Sequence, residues 1–173
     1  MHYIGFVFTT KGSTKKIADI LAPYNEQDER FMKEFDVTEE VTKEYNNLPE
    51  KDEKYHCDTE KYPTLTLFAN EWYGYDVTKN KEGKIKISYK QNPNAKWDYW
   101  TTGGRWNRIF DKKYNIIPFT EVKEWPQPSC FITLGEKWIE NENGEFNEYL
   151  NKIKKLSDKT QNQIIVFAID FHI

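Results

Sequence analysis

Three patterns in the sequence predict an α+β fold. Short β-branched and aromatic runs open and close the chain, over 3–10 and 163–173. A clean polar–apolar alternation, Lys84-Ile85-Lys86-Ile87-Ser88-Tyr89, follows a turn signal at Asn80-Lys81-Glu82-Gly83, which is the pattern of a strand with one wet face. Phe146, Tyr149, Leu150, Ile153 and Leu156 recur at helical spacing, with Glu145, Glu148, Lys152 and Lys155 outside them, as on an amphipathic helix. The expected architecture is a mainly antiparallel sheet of five to seven strands with two to four helices packed mostly on one face. A ferredoxin-like sandwich is the preferred specific arrangement.

Taken in order, the first strand over 3–10 ends at Lys11-Gly12. Ser13 or Thr14 can cap a short helix, because a hydroxyl oxygen accepts an otherwise unpaired backbone N–H. Ile17, Ile20 and Leu21 then share one face, and Pro23 stops the helix. Residues 25–61 are polar and acidic; Phe35-Asp36-Val37-Thr38 alternates like a strand, and a helix is expected over 38–47, ended by Asn46-Asn47-Leu48-Pro49. The run 64–69, Thr-Leu-Thr-Leu-Phe-Ala, reads as a strand with 84–89 as antiparallel partner. Asn92-Pro93-Asn94 leaves the sheet in a turn, and Asp111-Lys112-Lys113 is a surface turn. Residues 114–128 carry Pro118, Pro126 and Pro128 and read as an irregular wrapping loop. A strand over 129–134 turns at Gly135-Glu136 into a return strand at 137–140. The closing run, apolar on both faces, reads as a central strand. The two halves echo each other weakly, about 1–90 and 91–173, without a strict repeat. The chain is therefore read as a single domain over 1–173.

Composition narrows the function classes. The formal net charge of −3 gives no general reason to expect nucleic acid or an anionic membrane as partner. Neither Cys57 nor Cys130 sits in a CxxC pair, so a zinc site or thioredoxin-like motif has no support; two reduced thiols are expected, with one disulfide left open as the alternative. Met1-His2-Tyr3-Ile4 lacks a signal-peptide pattern, and no apolar run approaches 18 residues, so a cytoplasmic, soluble chain is expected.

The densest chemistry lies in Asn92-Pro93-Asn94-Ala95-Lys96-Trp97-Asp98-Tyr99-Trp100-Thr101-Thr102-Gly103-Gly104-Arg105-Trp106. Gly103-Gly104 permits positive φ, and free N–H groups there can face an anion. Arg105 can hold a phosphate or carboxylate by two parallel hydrogen bonds. Trp97, Trp100 and Trp106 offer flat faces to a base. The competing expectation is a tight turn with core tryptophans and Arg105 paired to Asp98. Alternation along an extended segment forces part of the cluster inward. Asp170 and His172, two apart in the last strand, share a face and suit general acid–base work. A metal site would need further ligands, and His2 and His56 are the remaining imidazoles; no metal and no cofactor is expected. The triplet His56-Cys57-Asp58 sits in a charged loop, where sequence neighbours rarely face each other productively.

The residues Asn92-Pro93 and Lys96-Trp97-Asp98-Tyr99 through Gly103-Gly104-Arg105-Trp106 resemble the N-P-x-x-K-W-D-W-Y-x-x-G-G-R-W signature of an uncharacterised family of small phage and prophage proteins. Leu21-Ala22-Pro23-Tyr24-Asn25-Glu26 and the C-terminal Asp170-Phe171-His172-Ile173 are similar to two further islands of that family. Tyr99-Trp100 stands where the family has Trp-Tyr, and Phe171 where cysteine is usual, which argues against a thiol role there. The resemblance implies a mobile-element origin in an infected bacterial host and supplies no activity. Phage accessory proteins of this size are often binders that block a host defence. The expected function is therefore a counter-defence binding protein that sequesters a small anionic ligand, such as a cyclic nucleotide or ADP-ribose derivative. Its ligand-binding residues would be Lys96, Trp97, Asp98, Trp100, Gly103, Gly104, Arg105, Asp170 and His172. One alternative is a nucleotide or phosphoester hydrolase using Asp170 and His172. Another is a protein inhibitor of a host defence complex acting through the acidic surface of 25–61. A homo-oligomer stays open.

Overall fold

The computed structural model describes residues 1–110 and 115–173; the surface turn expected at 111–113 and the first residue of the 114–128 loop lie outside the described residues. In chain order the regular elements are β1 (His2–Thr10), α1 (Ile17–Leu21), β2 (Lys33–Asp36), α2 (Thr38–Tyr45), α3 (Leu65–Leu67), β3 (Asp76–Lys79), β4 (Ile85–Gln91), β5 (Tyr99–Thr102), β6 (Ile116–Pro118), β7 (Cys130–Ile132), β8 (Trp138–Glu140), α4 (Glu145–Lys154), α5 (Asp158–Gln161) and β9 (Ile164–His172). The fold class is α+β. The described residues divide into two compact units, 1–28 with 94–173 and 29–93.

The first unit is built on a mixed sheet, six-stranded among the described residues, in the order β5-β9-β1-β7-β8 with β6 also on β9. The first and last strands pair antiparallel along their whole length, from His2 opposite His172 to Thr10 opposite Ile164. β1 pairs parallel with β7, and β7 antiparallel with β8, the strand, turn and return expected over 129–140. β9 is central, as its two-sided apolar run predicts. Its far edge takes β6 along one part and β5 along another. Residues 4–8 of β1 are all buried, so both faces of the sheet need cover. Ile4, Phe6 and Phe8 join Phe131, Ile164, Val166 and Ala168 against Phe146, Leu150 and Ile153 of α4. Val7, Ile132, Ile169 and Phe171 face the other way, against Ile20 and Leu21 of α1 with Trp97 and Trp138. Helices thus lie on opposite faces, where the sequence reading put them mostly on one and a ferredoxin-like sandwich carries both on one.

Local chemistry explains the element ends. α4 matches its predicted register; Asn141 Oδ1 accepts the Phe146 N–H at its start (3.1 Å). α1 begins later than Ser13 or Thr14 would cap it. The Asp19 carboxylate accepts the Lys16 N–H (3.2 Å), while Ser13 Oγ accepts the Lys15 N–H (3.3 Å) in the preceding turn. The wrapping loop contains β6, whose Pro118 sits on a sheet edge where no ladder donor is needed, and buries Ile117 and Phe119.

The second unit holds a three-stranded antiparallel sheet, β2-β4-β3. The helix expected over 38–47 is α2, with Asp36 Oδ1 accepting the Thr38 N–H (3.0 Å). The strand expected over 64–69 is instead helical, α3 followed by a wider turn at Phe68–Trp72. Thr64 Oγ1 accepts the Leu67 N–H (3.2 Å). Leu65, Phe68 and Ala69, at i, i+3 and i+4, then reach one core with Val41, Tyr62 and Ile87. The alternation of Thr and Leu was read with period 2, but burial follows the helical spacing. β4 is accordingly flanked by β2 and β3 rather than by 64–69. A cleft of about 1170 Å³ in this unit is lined by α2 and the β3–β4 hairpin, including Lys43, Lys79 and Lys84. Among the described residues no helix is long and apolar enough to cross a membrane.

Phe146 is fully buried and its ring lies 5.4–6.2 Å from those of Phe6, Phe8, Phe131 and Trp125. Phe146→Ala should therefore cost about 3–5 kcal/mol, read as a lowered denaturant midpoint with an unchanged slope.

Candidate functional site

The β1–β9–β5 ladder brings distant residues into rows. Directly paired residues share a face, so Tyr99, His172 and His2 form one row, and Thr101, Asp170 and Ile4 the next. Asp98 extends the ladder by one residue, its N–H donating to the His172 carbonyl (3.1 Å). Its carboxylate then turns to the same imidazole: His172 Nδ1 lies 2.8 Å from Asp98 Oδ1 and 3.1 Å from Oδ2.

Asp170 lies beneath the diglycine turn. It is 4% exposed, and a buried carboxylate needs donors. The Arg105 N–H donates to its Oδ2 (2.9 Å), and His2 Nδ1 lies 3.1 Å from its Oδ1. Gly104 makes this approach possible. Its φ is +47°, and a Cβ there would lie 2.3 Å from Asp170 Oδ2 and 2.6 Å from Asp170 Cβ, so only glycine fits.

The result is two carboxylate–imidazole pairs side by side, Asp98 with His172 and Asp170 with His2. The rings meet edge to face with centroids 4.8 Å apart. Both imidazoles are partly open, with 27% of the His2 side chain and 38% of the His172 side chain exposed. Each ring points Nδ1 at a carboxylate, an acceptor-only group when ionised, so Nδ1 carries the proton and Nε2 faces away from the carboxylates. The Met1 nitrogen lies 3.4 Å from His172 Nε2 and also contacts the Ile173 carbonyl. The Asp98 carboxyl is held below the usual carboxylate range, first by its hydrogen bond with His172, against a smaller opposing effect of burial.

The predicted site residues divide in two. Asp98, Gly103, Gly104, Arg105, Asp170 and His172 come together through the contacts above. The Gly103 N–H is engaged by the Ala168 carbonyl (2.9 Å), and it is the Arg105 N–H that meets a carboxylate. The Arg105 side chain is exposed and makes no hydrogen bond or ion pair among the described residues; Asp98 is held by His172, not by Arg105. Lys96 and the two tryptophans lie apart. Lys96 Nζ pairs with Glu140 Oε1 (2.9 Å). Trp97 is 5% exposed in the core, and half-buried Trp100 packs against that same cluster. Trp106 packs on the opposite core.

His2 is the site residue that the sequence reading passed over, noted there only as a spare imidazole. Its role depends on pairing the first strand with the last, which no local pattern announces. Tyr99, given no site role by the sequence, is 61% exposed in the His172 row. Elsewhere, Asp58 is buried and accepts the Asp52 and Lys61 N–H groups (2.8 Å each), a loop-building role. Cys57 and Cys130 are free thiols. Burial pushes both upward, Cys130 well above its usual value, which disfavours the nucleophilic thiolate. Among the described residues no group of three or more His, Cys, Asp or Glu is placed to hold a metal ion.

No family model matches the chain, and no curated protein or solved structure does either.

Two outcomes test this geometry. Gly104→Ala should destabilise the fold by clearly more than Gly12→Ala. Both positions have positive φ, but nothing lies within 4 Å of a Cβ at Gly12; backbone strain alone costs about 1–2 kcal/mol, and comparative thermal melts isolate the excess from Asp170. The second concerns pH. A carboxyl lowered on folding stabilises the fold above its unfolded value, and this is lost as pH falls through the folded value. The melting-temperature gap between the wild type and Asp98→Asn should thus be full above the usual carboxylate range and close below it.

Proposed function

We propose that the chain is a phage-encoded counter-defence protein that binds a small anionic ligand, of the class of nucleotide-derived immune signals, at the His2–His172 cluster and so removes it from solution. The observation that carries this reading is the convergence of two imidazoles, each with Nδ1 occupied by its own carboxylate, on one partly open row of the sheet. The His2 Nε2 then serves as a donor to an anion when that ring is protonated. The exposed Arg105 guanidinium, whose backbone is tied to Asp170, adds a bidentate donor for phosphate. The exposed Tyr99 ring in the same row supplies a stacking face for a base. Trp97 and Trp100 pack in the core on the opposite sheet face and Lys96 is paired with Glu140, so these three stand outside the binding row in this reading. The phage origin rests on the resemblance carried by the 92–106 stretch, the 21–26 segment and the Asp170–Ile173 end. In space these segments are linked, since the Lys96 N–H donates to the Tyr24 carbonyl (2.8 Å) and the Glu26 N–H to the Trp97 carbonyl (3.0 Å), while β5 pairs with β9.

Isothermal titration with cyclic mononucleotides, cyclic dinucleotides and ADP-ribose derivatives tests the reading; heat of binding to at least one is expected, and flat titrations across the panel oppose it. Tyr99→Ala should weaken the bound ligand by about 1–3 kcal/mol, the usual worth of one base stack. Arg105→Ala should cost about 1.5–3 kcal/mol, the worth of hydrogen bonds to a charged group. Glu39→Lys with Glu40→Lys, on the exposed face of α2 in the acidic segment, should leave binding unchanged; loss of function in that variant alone favours inhibition through the acidic surface.

A further inference from the structure

Two features of the cluster exceed what anion binding requires. An anion site needs donors, yet each imidazole here is paired with a carboxylate at Nδ1. Such a partner fixes the tautomer and stabilises the imidazolium as it forms, the arrangement that equips histidine to move protons. The rings are also neighbours, with centroids 4.8 Å apart. Two proton-carrying groups that close can serve both ends of one displacement.

We propose that the cluster hydrolyses the phosphodiester of a bound cyclic nucleotide, with His172 as general base and His2 as general acid. The inference rests on the binding site assigned above. Water attacks phosphorus. As its oxygen forms the new P–O bond, one water proton passes to Nε2 of His172, and the other stays on the oxygen that joins phosphorus. As the bond to the sugar oxygen breaks, Nε2–H of His2 gives its proton to that leaving oxygen. The products are a phosphomonoester and a free sugar hydroxyl. His172 then returns its proton to solvent, and His2 regains one from it. A diester is the substrate class because its leaving group is an alkoxide, which departs readily only when protonated. His172 is assigned the base because it is the more open of the two rings and so the one water reaches.

Asp98 and Asp170 are positioning residues. Asp98 holds His172 by both carboxylate oxygens, and Asp170 holds His2 while the Arg105 N–H holds Asp170, an approach that the missing side chain of Gly104 permits. Among the described residues, the titratable and charged groups in contact with the rings are Asp98, Asp170, the Met1 nitrogen and the other ring, with Tyr99 alongside in the row.

The test incubates the chain with cyclic di-AMP, cyclic GMP–AMP and bis(4-nitrophenyl) phosphate and follows the products by chromatography and absorbance, with binding measured in parallel. Turnover with a bell-shaped pH dependence of kcat/KM is expected, since one ring must be neutral and the other protonated. His172→Gln should remove the acidic limb and His2→Gln the alkaline limb, each lowering kcat about 100-fold or more. Asp98→Asn should lower kcat with little change in KM. Quantitative recovery of intact ligand from a protein that binds it overturns hydrolysis and leaves sequestration standing. Neither binding nor turnover overturns both. Turnover that survives His2→Gln and His172→Gln together also overturns the acid–base assignment. Should either variant fail to fold, the wild-type profile decides, because a rate that rises or falls monotonically with pH contradicts a pair of opposed rings.

Discussion

The antiparallel pairing of β1 with β9 is the constraint on which the first unit depends. It runs through nine registered pairs and joins the two ends of the chain. Closing so long a loop carries an entropic cost that grows only with the logarithm of its length, and burial repays it on both faces. Ile4, Phe6 and Phe8 look to α4, while Val7 looks to α1. This two-sided burial locks the register, since a slip by one residue would turn every side chain to the opposite face. The same register sets His2 opposite His172 and Ile4 opposite Asp170. The His2–Asp170 pair thus follows from a ladder that hydrophobic packing enforces, and the same ladder presents His172 to Asp98.

The 92–106 stretch then acts on that ladder from the side. Trp97 enters the core beside Phe171, which fixes the chain one residue before Asp98 reaches His172. Four residues of β5 later, the diglycine turn folds back over Asp170. The missing side chain at Gly104 lets the backbone come close enough for the Arg105 N–H to reach a carboxylate that is otherwise out of water. The stretch therefore combines an anchor and a cover, and its polar residues act through strand ends that lie far away in sequence.

Much of the fold was legible because it is written in local periodicity. The strands over 3–10 and 163–173 are compact β-branched and aromatic runs, the hairpin at 129–140 is marked by its turn, the helix around Phe146 has helical spacing, and each forms. The run 64–69 misled because Thr-Leu-Thr-Leu alternates by chance while Leu65, Phe68 and Ala69 also fit a helix, and packing onto Tyr62 and Ile87 decides between them. The short helix with Ile17, Ile20 and Leu21 on one face was legible, but which sheet face it covers depends on how the strands pair. At the candidate site, Asp98, Gly104, Arg105, Asp170 and His172 were legible as residue types that do chemistry. Which carboxylate meets which imidazole was not, because it depends on the pairing of the two ends. For the same reason His2 carried no signal of its own, and the paired state of Lys96 depended on Glu140 arriving from β8.

Both imidazoles are fixed through Nδ1, each by its own carboxylate, and the proposed ligand meets them from the Nε2 side. Long-range proton–nitrogen NMR spectra of histidine-labelled protein observe this directly. The account predicts that His2 and His172 both carry the proton on Nδ1 when neutral, that Asp98→Asn alters the His172 ring while Asp170 still holds His2, and that a bound nucleotide shifts the Nε2 resonances of both rings. Protons on Nε2 in the neutral rings, or Nε2 resonances that stay unmoved by a ligand that binds, would contradict it.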